Sequence, residues 1–507
     1  MGLLCELVLF WRSLIKSEDL IDMLTTSEIK TFIANDAAST KKHLARLGVR
    51  YYEGRHDIKD YRIFYIDADG NLKEDRTKSN IRIAHPFFTE IVDQIVPYLL
   101  SGKERIIKSD DPALQKHLDA YFNDNDAFMS ELYETITGVQ VKGFDWMFAY
   151  RDENGRTSFQ WADSMGVVEC EAKYTADHKD YIIYWYQDRV DSDGNKIINI
   201  HVYDEQNIYF YTQVNDGEIK KDETAEFNPQ PHSVFDGGGE TGGVSYGFIP
   251  FFRMDNNKKQ VSALPPIKDL IDDYDLMNAG LSNNIQDTNE AIYVVRGFQG
   301  DNLDELMTNI KAKKHIGVDD DGGVEIKTVD IPVEARKTKM EVDEKNIYRF
   351  GFALNIAGLK DTTATTNLAI QSAYSLLELR AKKLENRLKP FLRKLIDVVL
   401  KEINSTDGMG YTQSDVYFDF EREIPTNAQE NAQIKLTEAQ RRQTEITTIL
   451  NLAGTIDDET KLQLICEQLD IDYQDIKDKA PNPEDDPTAA AQAALGGVAP
   501  EDGDVIE

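Results

Sequence analysis

Cysteine is scarce. Cys5, Cys170 and Cys466 stand far apart in 507 residues, so there is no disulfide framework and no CxxC metal knuckle. That usage fits a reducing compartment. Basic charge is also short. Lys plus Arg number 57 against 90 Asp plus Glu, a net charge of −33. A surface this acidic resists broad adhesion to nucleic acid or anionic membrane, yet it is compatible with a local basic stripe, because binding is local. Long apolar runs are missing too. The most apolar stretch, Gly2 to Ile15, is too short to span a bilayer. It carries Glu6 and Arg12 and lacks the basic start and cleavage site of a signal peptide. Glu6 also breaks the myristoylation pattern. An amphipathic terminal helix or an overextended start is the expectation there.

Nucleotide and catalytic motifs are absent in the same way. The glycine loop 237–243, GGGETGG, has no lysine and hydroxyl following it, so it is not a phosphate cradle but a surface loop. There is no G-x-S-x-G. His56, His85, His201 and His315 show no metal-ligand spacing, and structural roles are expected for them. Asp67 to Gly70 and Asp319 to Gly322 imitate calcium loops without the acidic twelfth position, so they are turns. Among so many carboxylates, neighbours such as Asp272/Asp273 and Glu421/Glu423 are solvated faces, with nothing to fix the spacing of an acid–base pair. Cys170 and Cys466 fit core packing better than nucleophilic duty. No enzyme, cofactor or metal site emerges.

What is present is ample material for a core: 41% apolar residues, 10% of the chain aromatic. The length suggests about three domains. Ser17 to Leu47 reads as one helix. Ser27 followed by Lys30 makes no full capping box. Asn80 to Leu100 reads as a second, with Pro86 in its first turn and Pro97 kinking its end. Residues 139–215 are short β-branched and aromatic runs separated by Asn154-Gly155 and Asp193-Gly194, the pattern of antiparallel hairpins. From Ser262 the chain turns helical. A compact αβ insert follows: a strand at 291–296, a short helix at 302–312, and a hairpin of 315–318 with 324–329. A helix from Val333 to Phe352 leaves it. If the two helices flanking this module are antiparallel neighbours, they form a stalk with the module at its tip.

Next comes ALNIAGLKDTTATT (353–366), small and polar, a loop. Asn367 to Asn404 is the strongest helix signal, with apolar residues at i, i+3, i+4 almost throughout and Pro390 expected to kink it near Asn386. Val416 to Phe420 reads as a lone strand, Gln429 to Ala453 and Asp457/Asp458 to Leu469 as helices, and 480–507 as an acidic tail without Lys or Arg. In the second stalk helix, Arg336, Lys337, Lys339, Lys345 and Arg349 put five cations within 14 residues, diluted by Glu334, Glu341, Asp343 and Glu344. That is either a mixed-charge helix with i,i+4 pairs or a weak, sequence-blind phosphate contact.

The order of parts resembles the portal (head–tail connector) proteins of tailed bacteriophages, in the branch found in long-tailed phages of Gram-positive hosts. The segments that carry the resemblance are YYEGRHDI (51–58), NIRIAHPFFTEIVDQIVPYLL (80–100), IPFFRMDNN (249–257), LIDDYDLMNAGLSNNIQDTNEAIYVVRG (270–297), IYRFGFALN (347–355), LAIQSAYSLLELRAKKLENRLKPFLRKLI (368–396) and AGTIDDETKLQLICEQLDID (453–472). No single motif decides; the ordered set does. Residues 1–20 and the glycine loop fall outside the pattern.

The resemblance implies an α+β portal fold: a β-containing wing (21–261), a two-helix stem (262–289 and 334–352), a small αβ clip (290–333), a tunnel loop (353–366), a long kinked helix with a wing strand (367–426), a helical crown (427–480) and an acidic tail (481–507). It implies a homo-oligomeric ring, usually a dodecamer, at one capsid vertex of the virion, assembled in the host cytoplasm. Double-stranded DNA would pass non-specifically through its channel during packaging and ejection. The partners implied are the terminase large subunit, the head-completion adaptor, and the major capsid and scaffolding proteins, with no membrane. Channel residues expected from it are Asn355, Lys360, Asp361, Thr362 and Thr363 in the tunnel loop, and Lys337, Lys345 and Arg349 in the stem. The alternative is another head–tail or minor head protein without a channel.

Overall fold

In the computed structural model, the residues described are 24–76, 78–102, 105–225, 227–236, 241–287, 292–298, 302–308, 317–327, 332–355, 367–422, 428–451, 458–469 and 473. The chain divides into two compact units, Met1–Thr363 with Gln371–Ile424, and Ala364–Ile370 with Pro425–Glu507.

The first unit opens with helices Thr26–Ala37 and Thr40–Tyr52. The single helix expected over 17–47 is therefore broken at Ala38-Ser39, and its first residues lie outside those described. The reason is local. Ser39 accepts from the Lys42 backbone N–H at 3.3 Å and starts a new helix. A full capping box stands two residues before Ser27: Thr25 and Glu28 satisfy each other's backbone N–H groups. The next helix is Phe87–Leu100, not Asn80–Leu100, because Ser79, Ile81 and His85 give their N–H groups to other partners, described below. Pro97 sits inside it and the helix continues to Leu100.

Residues 139–142, expected as strand, close the helix Asp126–Lys142. Gly143 stops it at φ +94°, where a Cβ would lie 2.5 Å from the Gln260 carbonyl oxygen. The β region then follows the expected hairpins. Strands Val167–Cys170, Tyr181–Val190, Lys196–Tyr203, Asn207–Val214 and Ile219–Lys221 pair antiparallel in sequence order, with Gln230–Pro231 on Asn207–Val214. A smaller sheet pairs Phe251–Asp255, Phe144–Arg151 and Thr157–Ala162. Phe144, Trp146, Val167, Ile182, Tyr203 and Phe251 form the core between them. The Asp-Gly and Asn-Gly turns are positive-φ turns at Gly70, Gly155 and Gly194. Asp67, Asp152 and Asp191 each accept backbone N–H groups of their own turn, so these carboxylates already have partners.

Part of the glycine loop is a strand. Thr241–Val244 pairs with Ser233–Asp236, and residues 237–240 lie outside those described. The strand near 416–420 is not alone, since Tyr417–Phe418 pairs with Ile107–Lys108.

Two helices, Pro265–Asp287 (outgoing) and Val333–Gly351 (returning), run antiparallel. Asp273 meets Lys339, and Gly280 meets Arg336. Between them, Ile292–Phe298 pairs with Val318–Lys327 beside a short helix, Leu303–Thr308. The hairpin expected around Asp-Gly is instead one strand with a register shift between Arg296 and Phe298. Gly297, at φ +65°, and Gly322, where a Cβ would lie 2.6 Å from the Arg296 carbonyl, make the shift sterically feasible. The long helix runs Asn367–Asp407, about 60 Å, and continues through Pro390. Leu377, Ala381, Leu384, Leu388, Phe391, Leu395 and Val399 bury its apolar stripe against Ile91, Ile95 and Leu132 in the main core.

The second unit contains helices Ala428–Asn451 and Asp458–Leu469, which pack on each other. No described helix is long and apolar enough to cross a membrane.

Gly143→Ala adds a left-handed penalty and a backbone clash. It should cost about 2–4 kcal/mol in urea unfolding. An unchanged midpoint would mean that the helix stop tolerates a side chain.

Candidate functional site

The outgoing helix buries Ile267, Ile271, Asp275, Ala279 and Asn283, an i,i+4 stripe that includes two polar residues. A carboxylate on a buried stripe must find partners. Asp275 finds three donors. His56 Nδ1 lies 2.7 Å from Oδ2; His85 Nδ1 lies 2.7 Å and the His85 backbone N 3.0 Å from Oδ1. His56 and Asp275 are fully buried. The other ring nitrogen of His56 faces the Tyr51 carbonyl at 3.2 Å. The ring of His56 is thus held between two oxygens, a carboxylate on one side and a backbone carbonyl on the other. Burial alone pushes the Asp275 carboxyl upward, but the hydrogen bonds from His56 and His85 outweigh it and hold the group below its ordinary range.

This clamp is extended on both sides. Tyr51 stacks on His56 with centroids 4.6 Å apart and donates its hydroxyl to Asp272. Lys268 bridges Asp57 and Asp272 at 2.8 and 2.5 Å. Further along, Asn283 Oδ1 accepts from Ile81 N at 2.6 Å and Asp287 Oδ1 from Ser79 N at 3.1 Å. Residues 79–85 are thus pinned along the outgoing helix. Spacing in the sequence could not find the histidines, because Asp275 is 219 positions from His56. The one local signal was an acid on the buried stripe.

On the returning helix the five cations separate into two groups. Lys339 lies between Asp273 and Asp343, and Arg336 packs over Gly280. These two hold the helix pair together. Lys337, Lys345 and Arg349 are exposed, and none has an ion-pair partner among the described residues. Their i, i+8, i+12 spacing places them within an arc of about 120°. Arg349 lies 5.8 Å from the Phe350 ring. Past the helix, Phe352 adopts φ +52° and Gln94 brackets Leu354, donating to its carbonyl and accepting from its N–H, both at 3.0 Å. Asn355 donates to Glu344 at 3.2 Å. Lys360, Asp361, Thr362 and Thr363 lie outside the described residues.

The feet of both helices meet the long helix around a cavity of about 660 Å³, lined by Pro265, Pro266, Phe350, Phe352, Leu379 and Arg380. Arg380 is buried and donates to the carbonyls of Ile91 and Gly351 and to Gln140 Oε1. Burial pushes its guanidinium down to about 10. Arg422 fastens the long helix from outside, bridging Glu378 and Glu385 at 2.8 and 3.1 Å.

The other candidate groups are inert where they are described. Burial pushes the Cys170 thiol up to about 12, away from thiolate chemistry. Burial pulls His201 down to about 4, so it is a neutral core ring. His315 lies outside the described residues. Among the described residues, no cluster of His, Cys, Asp and Glu has the arrangement to hold a metal ion.

A family profile described as "Phage portal protein, SPP1 Gp6-like" matches residues 33–474. The portal protein of Bacillus phage SPP1 is 28% identical over 347 residues, covering 68% of this chain and 67% of that one. The portal protein of Clostridium phage phiCD119 is 24% identical over 433 residues, covering 80% and 88%. Among solved structures, a chain in the neck of a native GTA particle computed with C12 symmetry is 10% identical, with a TM-score of 0.37, covering 75% of this chain and 89% of that one.

The clamp makes a definite prediction. Asp275→Asn removes the buried carboxylate on which His56, His85 and the His85 backbone N–H converge, and should cost about 3–5 kcal/mol at neutral pH. Because the folded carboxyl lies below its unfolded value of about 3.9, its contribution is complete above that pH and is lost as pH falls through the folded value. Urea unfolding from pH 7 to 3 should show an acid slope in the parent chain that is shallower in Asp275→Asn. Equal stability, or an equal slope, would contradict the clamp.

Proposed function

The chain belongs to the SPP1 Gp6-like family of phage portal proteins, and from that premise we propose that it closes into a dodecameric ring at one capsid vertex of the virion. Double-stranded DNA passes through the ring during packaging and ejection. The outgoing and returning helices are the stem (262–289 and 334–352), the strand-and-helix insert is the clip (290–333), and 353–366 is the tunnel loop. The sheets and the long helix form the wing, and the helices of 427–480 the crown. The clip docks the terminase large subunit and later the head-completion adaptor. Capsid and scaffolding proteins surround the ring, which assembles in the host cytoplasm.

The observation that carries the channel reading is the trio Lys337, Lys345 and Arg349, exposed and unpaired among the described residues of a protein with a net charge of −33. Each phosphate neutralised by a cation strengthens binding and raises its salt dependence. A conduit must therefore keep few such contacts, or DNA stalls. A sparse circle of stem cations on an otherwise acidic ring gives guidance with little friction. Lys360, the one cation of the tunnel loop, would add a second circle.

Two measurements test this. Electron microscopy of the purified chain should show rings with a central hole; a monomer or a holeless assembly would favour a minor head protein. Rings of Lys360→Glu, or of Lys337→Glu with Lys345→Glu, should assemble normally but package only a small fraction of the parent's DNA. Normal packaging would remove these residues from the channel.

A further inference from the structure

The chain between Asp60 and Phe87 is a strap hung on the outgoing helix at Ser79, Ile81 and His85. Its two legs are tied by Lys59 Nζ to the Arg82 carbonyl at 3.1 Å and by Arg82 to the Lys59 carbonyl at 2.7 Å. At its end, strand Phe64–Ile66 pairs with Leu72–Glu74, placing Ile66 opposite Leu72. This hairpin is apolar and bare. Ile66 is 71% exposed, Leu72 68% and Phe64 54%, and Tyr65, Tyr61, Ile81 and Ile83 are exposed beside them. Such a contiguous patch marks an interaction surface, and a lone two-stranded hairpin is only marginally stable in water.

We propose that the strap docks on the stem of a second copy of this chain, in the seam formed by Asp269, Asp273, Leu276 and Val342. Three observations choose that occupant. The first is charge. With Lys59 at its foot, the strap carries six cations (Lys59, Arg62, Lys73, Arg76, Lys78 and Arg82) against five acids, close to neutral in a chain of net charge −33, whereas the outgoing helix has five aspartates and one lysine. Arg76, beside Glu74, is 87% exposed on the strap, and Asp269 lies exposed on the helix. The second is apolar match. Leu276 and Val342 are exposed on two helices that touch at Asp273 and Lys339. The third is level. The strap is pinned between Asp275 and Asp287, alongside Leu276.

Strap and seam are different patches of one chain, so their contact is heterologous. Repeated head to tail with a rotation that closes, it generates a ring, whereas a self-complementary patch would stop at a dimer. The proposal rests on the portal-ring reading and names one of the contacts that closes the ring.

The test uses the full chain with Cys5→Ser, since Cys170 and Cys466 are buried. Ile66→Cys and Leu276→Cys are made singly and together, and treated with a short bis-maleimide. The double variant should give a ladder of covalent multimers on a denaturing gel, and each single variant only monomer. Dimers from Ile66→Cys alone, or no ladder from the double variant, overturn the contact. In parallel, Ile66→Asp with Leu72→Asp should keep the parent's circular dichroism and run as a monomer by light scattering. Rings from that variant at the parent's yield overturn the strap while leaving the portal reading intact. A parent chain that stays monomeric overturns both.

Discussion

One buried carboxylate organises the first unit. Asp275 lies on the outgoing helix at a position that an apolar residue would otherwise fill, and among the described residues it is compensated by His56, His85 and the His85 backbone. Removing a carboxylate from water costs several kcal/mol, and good geometry recovers it only when the remaining donors and acceptors are met. Here they are: the second His56 nitrogen reaches Tyr51, and Tyr51 reaches Asp272. The clamp sets where the outgoing helix stands against helix Thr40–Tyr52, and thereby the direction of the helix pair and the course of the strap.

The acidity of the chain has a similar internal logic. Many carboxylates are used within the fold. Asp67, Asp152 and Asp191 close turns. Glu131 and Glu402 accept the backbone N–H groups of Trp161 and Thr157, on the strand at the edge of the smaller sheet. Glu378 and Glu385 hold Arg422. Lys339 and Arg336 are likewise absorbed by the helix pair. Among the described residues Lys337, Lys345 and Arg349 are left over, and a leftover cation on an acidic protein is where a polyanion can make contact without being held.

Much of the fold could be read from the sequence because its causes are local. A 3.6-residue apolar period marked the long helix from Asn367, and Asn-Gly and Asp-Gly pairs marked the hairpin turns. The misreadings are equally physical. The run Val139–Lys142 looks like a strand by composition, but it is buried within a helix that Gly143 ends. The Asp319–Gly322 stretch looks like a hairpin turn, but the preceding strand pairs on both sides of it and turns it into a bulge. Ser39 looks like one more helical residue until its hydroxyl meets the Lys42 N–H.

The sequence by itself determined the inventory: long amphipathic helices, antiparallel hairpins, a deficit of cations, and the five that cluster on one helix. Only the tertiary structure decided which of them are free. Lys337 and Lys339 are two residues apart and chemically identical, and they differ because one side of the helix faces Asp273 and the other faces solvent. The same holds for the histidines, ordinary in sequence and paired to one aspartate in space. Such contacts join residues about two hundred positions apart, and no local rule of spacing encodes them.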